Sequence, residues 1–219
     1  DGMDDKTKGI LKPFNIPSDH LLIDSEFYQA QMKCVFSEPI IEKRILINKE
    51  AFISNIRKKY SVDLSHLTDE CQEHEKKVKR PVVFTETAVA EVINAYDKIL
   101  IEGFNVSEMR KLYEVLYDSS ERNAKYTSWQ SIKLIEAILA KLSLSVNNLD
   151  ITSVMSPLYI LHDYRILLDH LLSADKISDT KQHIVATLGV QSFNDQESIY
   201  NEEIKRLNTL FNYLGVLSK

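Results

Sequence analysis

Thr85-Glu-Thr-Ala-Val-Ala-Glu-Val-Ile-Asn-Ala-Tyr-Asp-Lys-Ile-Leu-Ile-Glu-Gly103 decides the fold class. Val89, Val92, Ile93, Tyr96, Ile99 and Leu100 recur at steps of three and four, the period of one helix face and not the alternation of a strand. Thr85 or Thr87 can supply a capping oxygen, and Gly103 stands where such a helix stops. The pattern repeats downstream. Ser107 opens a helix carrying Met109, Leu112, Tyr113, Val115 and Leu116, and Ser128 opens one carrying Ile132, Ile135, Ile138, Leu139 and Leu142. A fourth helix covers about Ser153 to Leu172, with Pro157 tolerated near its first turn. A fifth runs from about Asp175 to Gly189. A sixth, opened by Asn194 or Asp195, carries Ile199, Ile204, Leu207, Leu210, Phe211 and Leu214. Amphipathic helices on short links make a bundle, so the expectation is a mainly α protein with a helical bundle over 81–219.

Upstream the pattern weakens. Residues 1–20 carry Gly9, Pro13, Pro17 and several charges, and read as a flexible arm. Residues 21–80 read as a small α+β or irregular subdomain and linker. Phe27, Tyr28, Met32, Val35 and Phe36 keep neither period; Ile40 to Ile47 is compatible with a strand. Asn48 then caps a short helix with Ala51, Phe52, Ile53 and Ile56 that ends on Arg57-Lys58-Lys59. Glu75-Lys76-Lys77-Val78-Lys79-Arg80 before Pro81 reads as a solvated connection and the domain boundary.

Composition limits the function. With 219 residues, 44% of them apolar and 27% charged, the chain can bury a sizeable core. Five glycines, scattered, leave no phosphate-cradling loop and no dinucleotide fingerprint. The net charge of −5 lacks the basic footprint of a dedicated nucleic-acid binder. Its acidic excess falls after residue 80, where 13 basic side chains meet 18 acidic ones, against 14 and 14 before it. Cys34 and Cys71 make no disulfide framework and suit a reducing cytosol. No apolar run reaches the roughly 18–20 residues of a membrane span. A cytoplasmic protein with no membrane contact and no cofactor is expected.

The richest chemistry lies in Pro157-Leu-Tyr-Ile-Leu-His-Asp-Tyr-Arg-Ile-Leu-Leu-Asp-His-Leu-Leu172. On a helical wheel Ile160, Leu161, Tyr164, Leu167, Leu168, Leu171 and Leu172 share one face. Tyr159, His162, Asp163, Arg165, Asp169 and His170 occupy the rest, with Leu158 and Ile166 among them. A solvated surface helix with an Arg165–Asp169 pair is the plain reading. Burial of the mixed face of 158–170 against a second subunit is the sharper one, since polar groups around aliphatic anchors suit an interface.

Arg165-Ile-Leu-Leu-Asp-His170 resembles the Arg-x4-His element of HEPN domains, all-α proteins that include metal-independent endoribonucleases of toxin–antitoxin and phage-defence systems. The resemblance covers about residues 85–217. It implies catalysis by Arg165, holding the scissile phosphate, and His170, acting as general acid or base, with His162, Asp163 or Asp169 in support. RNA brings its own nucleophile, the 2′-hydroxyl, so no metal is required. It further implies a homodimer that brings two such helices to a shared cleft, with RNA as substrate and an antitoxin or other protein as partner. The family's usual polar residue after the arginine is replaced here by Ile166. A non-catalytic helical dimerisation, RNA-binding or protein-interaction module is therefore the alternative.

Lesser signals accompany this. Lys76, Lys77, Lys79 and Arg80 form the densest basic cluster and are the candidate RNA-backbone contacts. His66, Cys71 and His74 offer metal-ligand types, but nothing completes a zinc site, and a polar linker is expected there. Tyr126 and Trp129 are core or staple residues on the plain reading and base-stacking platforms on the sharper one.

Overall fold

The computed structural model describes Asp4, Lys6, residues 38–145 and residues 149–219, without the side chains of Ser145 and Asp169. The rest of the arm expected over 1–20, the mixed stretch 21–36 and Cys34 lie outside the described residues.

The strand-compatible run Ile40–Ile47 coils. Helix α1 spans Ile41–Tyr60, and it buries Glu42, Ile45, Leu46, Lys49, Phe52, Ile53 and Ile56. That stripe has helical period throughout, but two of its members are charged. Glu42 and Lys49 interrupt the apolar signal that would have revealed one long helix, and β-branched isoleucines between them point to a strand. Ser61, in the left-handed region at φ 58°, ends the helix, its N–H donating to the Arg57 carbonyl.

Helix α2 (Thr68–Glu75) follows, then α3 (Glu86–Asp97), α4 (Val106–Leu116), α5 (Ser131–Leu142), α6 (Ile151–Asp169), α7 (Ala174–Leu188) and α8 (Gln196–Leu217). No strand occurs among the described residues; an isolated bridge joins Ser65 and Phe104. Thr85 caps α3 through a hydrogen bond from the Ala88 N–H, and Asp195 caps α8 through one from Ser198. At α4 the cap is Asn105 and not Ser107; it accepts from the N–H groups of Ser107 and Glu108. Gly189 ends α7 at φ 72°.

Pro157 lies inside α6, deeper than the first turn. It cannot donate to the Ser153 carbonyl one turn back. The Ser156 hydroxyl donates to that oxygen instead, at 2.8 Å.

Residues 40–219 make one compact unit, where the sequence led us to expect a boundary at 80/81. The reason is α8, which packs along α1. Glu42 meets Tyr200, Asn55 donates to the Gly215 carbonyl at 3.0 Å, and Lys59 reaches the Lys219 carbonyl, so the two helices run in the same sense. Their core includes Ile45, Phe52, Ile56, Ile204, Leu207 and Phe211. Helix α6 packs against α3, α5, α7 and α8, and α4 packs on α5. No helix among the described residues is long and apolar enough to cross a membrane.

Candidate functional site at the α3–α6 junction

Helix α3 does not stop at Asp97. It continues through a π-helical turn, Lys98–Glu102, to Gly103. Five-residue hydrogen-bond spacing brings residues five apart towards one side, where an α-helix would splay them. Asp97 and Glu102 therefore converge, and Arg165 of α6 meets both. Its Nη1 donates to Asp97 Oδ2 at 2.8 Å and to Glu102 Oε1 at 2.5 Å. Lys98 Nζ completes the cluster on Glu102 Oε2 at 2.8 Å.

Gly103 makes this turn possible. A Cβ there would stand 2.5 Å from the Ile99 carbonyl oxygen and 2.8 Å from Cys71 Sγ, closer than any side chain can sit.

The two acids titrate in opposite directions. Burial dominates at Asp97, which is fully enclosed, and pushes its carboxyl up despite Arg165. At Glu102 burial acts the same way but is outweighed by Lys98 and Arg165, which hold the carboxyl below the usual range. Burial opposes ionisation of Arg165 too, but Asp97 and Glu102 outweigh it and raise the guanidinium further.

His162, one turn before Arg165, places Nδ1 4.0 Å from Asp97 Oδ1, and that buried oxygen accepts no hydrogen bond among the described residues. Asp163 faces away to His183, 3.7 Å from its Nε2, and burial pushes its carboxyl up although His183 and His162 pull it down.

Sequence reasoning paired Arg165 with His170. The structure puts His170 just past the helix, exposed and in an extended conformation, with its N–H capping the Ile166 carbonyl. Asp169 ends α6, and its side chain lies outside the described residues. The mixed face of 158–170 is only partly open: Leu158 is buried, Ile166 is half-buried, and Leu168 and Leu171 are exposed. Asp97 and Glu102 were missed. Their signal is a pair of acids five apart at a helix end, which reads as divergent unless the π turn is known.

The basic cluster is a concavity of about 350 Å³ lined by Lys76, Lys77, Lys79, Arg80, Val82 and Glu91, among others. Lys77 and Lys79 are exposed. Lys76 pairs with Glu73, and Arg80 lies 3.6 Å from Glu197 with its guanidinium over the Phe84 and Tyr200 rings. Tyr126 and Trp129 pack on Tyr113 at 5.1 and 5.5 Å between ring centroids, as staples of the α4–α5 pair. His66 precedes α2, His74 lies in its last turn and Cys71 is buried, and no group of three metal-ligating side chains converges among the described residues. No family model, curated protein or solved structure matches this chain.

Proposed function

We propose that the chain serves as a non-catalytic, HEPN-like helical module that associates with a second copy through the open end of α6. One observation carries this reading: Arg165 is engaged by two carboxylates of its own chain. A guanidinium that must hold a scissile phosphate needs its field unspent, and here Asp97 and Glu102 neutralise it. Beside the clamp, half-buried Ile166 and Leu167 and exposed Leu168 and Leu171 surround His170. Aliphatic anchors amid polar groups favour contact with another protein surface. Light scattering tests the reading. Wild type is expected at twice the chain mass and Leu168→Glu at the chain mass, because a charge buried without a partner disfavours association. A monomeric wild type would sink it.

A second reading retains the endoribonuclease, favoured by the orphaned Asp97 Oδ1 facing His162. An imidazole that stands 4.0 Å from a buried carboxylate, one turn from Arg165, would become a general base for a 2′-hydroxyl if it closed that gap to a hydrogen bond. In this reading His162 takes the role given to His170, and Lys77 and Lys79 guide the backbone. Cleavage of single-stranded RNA in EDTA, lost in His162→Ala and kept in His170→Ala, is its expected signature. Absence of cleavage by the wild type removes it.

A further inference from the structure

Away from the α3–α6 junction, Lys49 of α1 turns inward. It is 5% exposed, its Nζ lies 5.2 Å from the centroid of the Phe104 ring, and it lines a pocket of about 240 Å³ with Cys71, Gly103, His66, Glu50 and Glu75. A long cationic side chain is seldom enclosed without a carboxylate bonded to it. The π face of Phe104 is the contact that holds it here, and the acids lie along the pocket wall.

The chemistry of the pocket follows from burial. Enclosure lowers the proton affinity of Lys49, and Cys71, Glu50 and Glu75 only partly restore it. The same enclosure pushes the Cys71 thiol up, so it stays protonated and unreactive near neutrality, its Sγ turned to the His66 carbonyl. Of the amine and the thiol lining this space, the amine is the one that burial shifts towards its nucleophilic form.

We propose that Lys49 captures small uncharged aldehydes or ketones in this pocket as an imine. The Nζ lone pair attacks the carbonyl carbon and forms the N–C bond, while the π pair moves to oxygen and takes up the proton released by nitrogen. The carbinolamine then loses its hydroxyl as water with the second nitrogen proton, leaving C=N. His66 and Glu75, which line the same pocket, are the groups there that can carry those protons. The volume admits a ligand of only a few heavy atoms, and Glu50 and Glu75 disfavour one bearing a carboxylate.

Brief exposure of the intact protein to propionaldehyde with cyanoborohydride at pH 7, followed by peptide mapping, tests this. The expected result is a propyl adduct at Lys49 formed several-fold faster than at exposed Lys58, Lys77 and Lys79, and several-fold faster than the glyoxylate adduct at the same site. Lys49→Arg and Lys49→Met, each checked for helicity by circular dichroism, should lose that fast adduct and keep the slow surface labelling. Lys49 reacting no faster than the surface lysines would overturn the proposal. Equal labelling by glyoxylate would overturn its selection of uncharged carbonyls.

Discussion

Glu203 sits in the middle of α8 with no exposure, and neither carboxyl oxygen meets a hydrogen-bond partner among the described residues. Burial pushes its carboxyl well above the usual 4.5, and Arg206 offsets little of this. The fold therefore binds this proton more tightly than the unfolded chain does. Stability from the group is whole below about pH 4.5 and is lost as pH rises through the folded value. Glu203→Met should raise the urea midpoint at pH 7, and raise it less at pH 4, where the carboxyl is largely protonated in both states. Arg165 is the opposite case. Arg165→Ala strands the enclosed Asp97 carboxylate and should cost about 3–5 kcal/mol, measured by urea unfolding. Asp97→Asn in the same chain should recover much of that loss, a coupling that two independent residues would not show.

At the level of elements, the π turn is the feature on which the α3–α6 junction depends. Gly103→Ala forces a Cβ against the Ile99 carbonyl and Cys71 Sγ. It should cost about 1–3 kcal/mol and lower the midpoint of thermal unfolding. The helices from α3 onward were legible because their buried faces are almost wholly apolar: Val89, Ile93 and Tyr96 in α3, Leu134, Ile135 and Ile138 in α5. Helix α1 was not, because Glu42 and Lys49 share its buried stripe. Each has a tertiary reason for being there. Tyr200 donates to Glu42 Oε1 at 2.9 Å, and Phe104 offers Lys49 its ring, from positions far along the chain. The candidate site was half legible for the same reason. The interest of Arg165 and His162 is visible in their local spacing, but the acids that engage them come from another helix and from a turn of unusual pitch.

For the whole molecule, the pairing of α1 with α8 decides what counts as a folding unit. Asn55 donates to the Gly215 carbonyl and to Ser218 Oγ at 3.0 and 3.1 Å, and Gly215 brings its backbone close to Asn48 and Ala51. A fragment beginning at Pro81 would leave the Ile204, Leu207 and Phe211 face of α8 without its cover. That fragment should show weak near-ultraviolet dichroism and a broad unfolding transition, whereas residues 40–219 should unfold in a single step. A sharp transition for the shorter piece would show that the bundle stands without α1.

The same pairing sets an order of events during synthesis. Helix α1 leaves the ribosome well before α8, and although Phe104 can meet Phe52 sooner, the α8 face that packs along α1 is made only when α8 is translated. Throughout that interval the nascent chain carries an open apolar stripe, the kind of surface that holdase chaperones grip and that drives aggregation. Contacts of such wide sequence separation also slow closure relative to a bundle built from neighbouring helices.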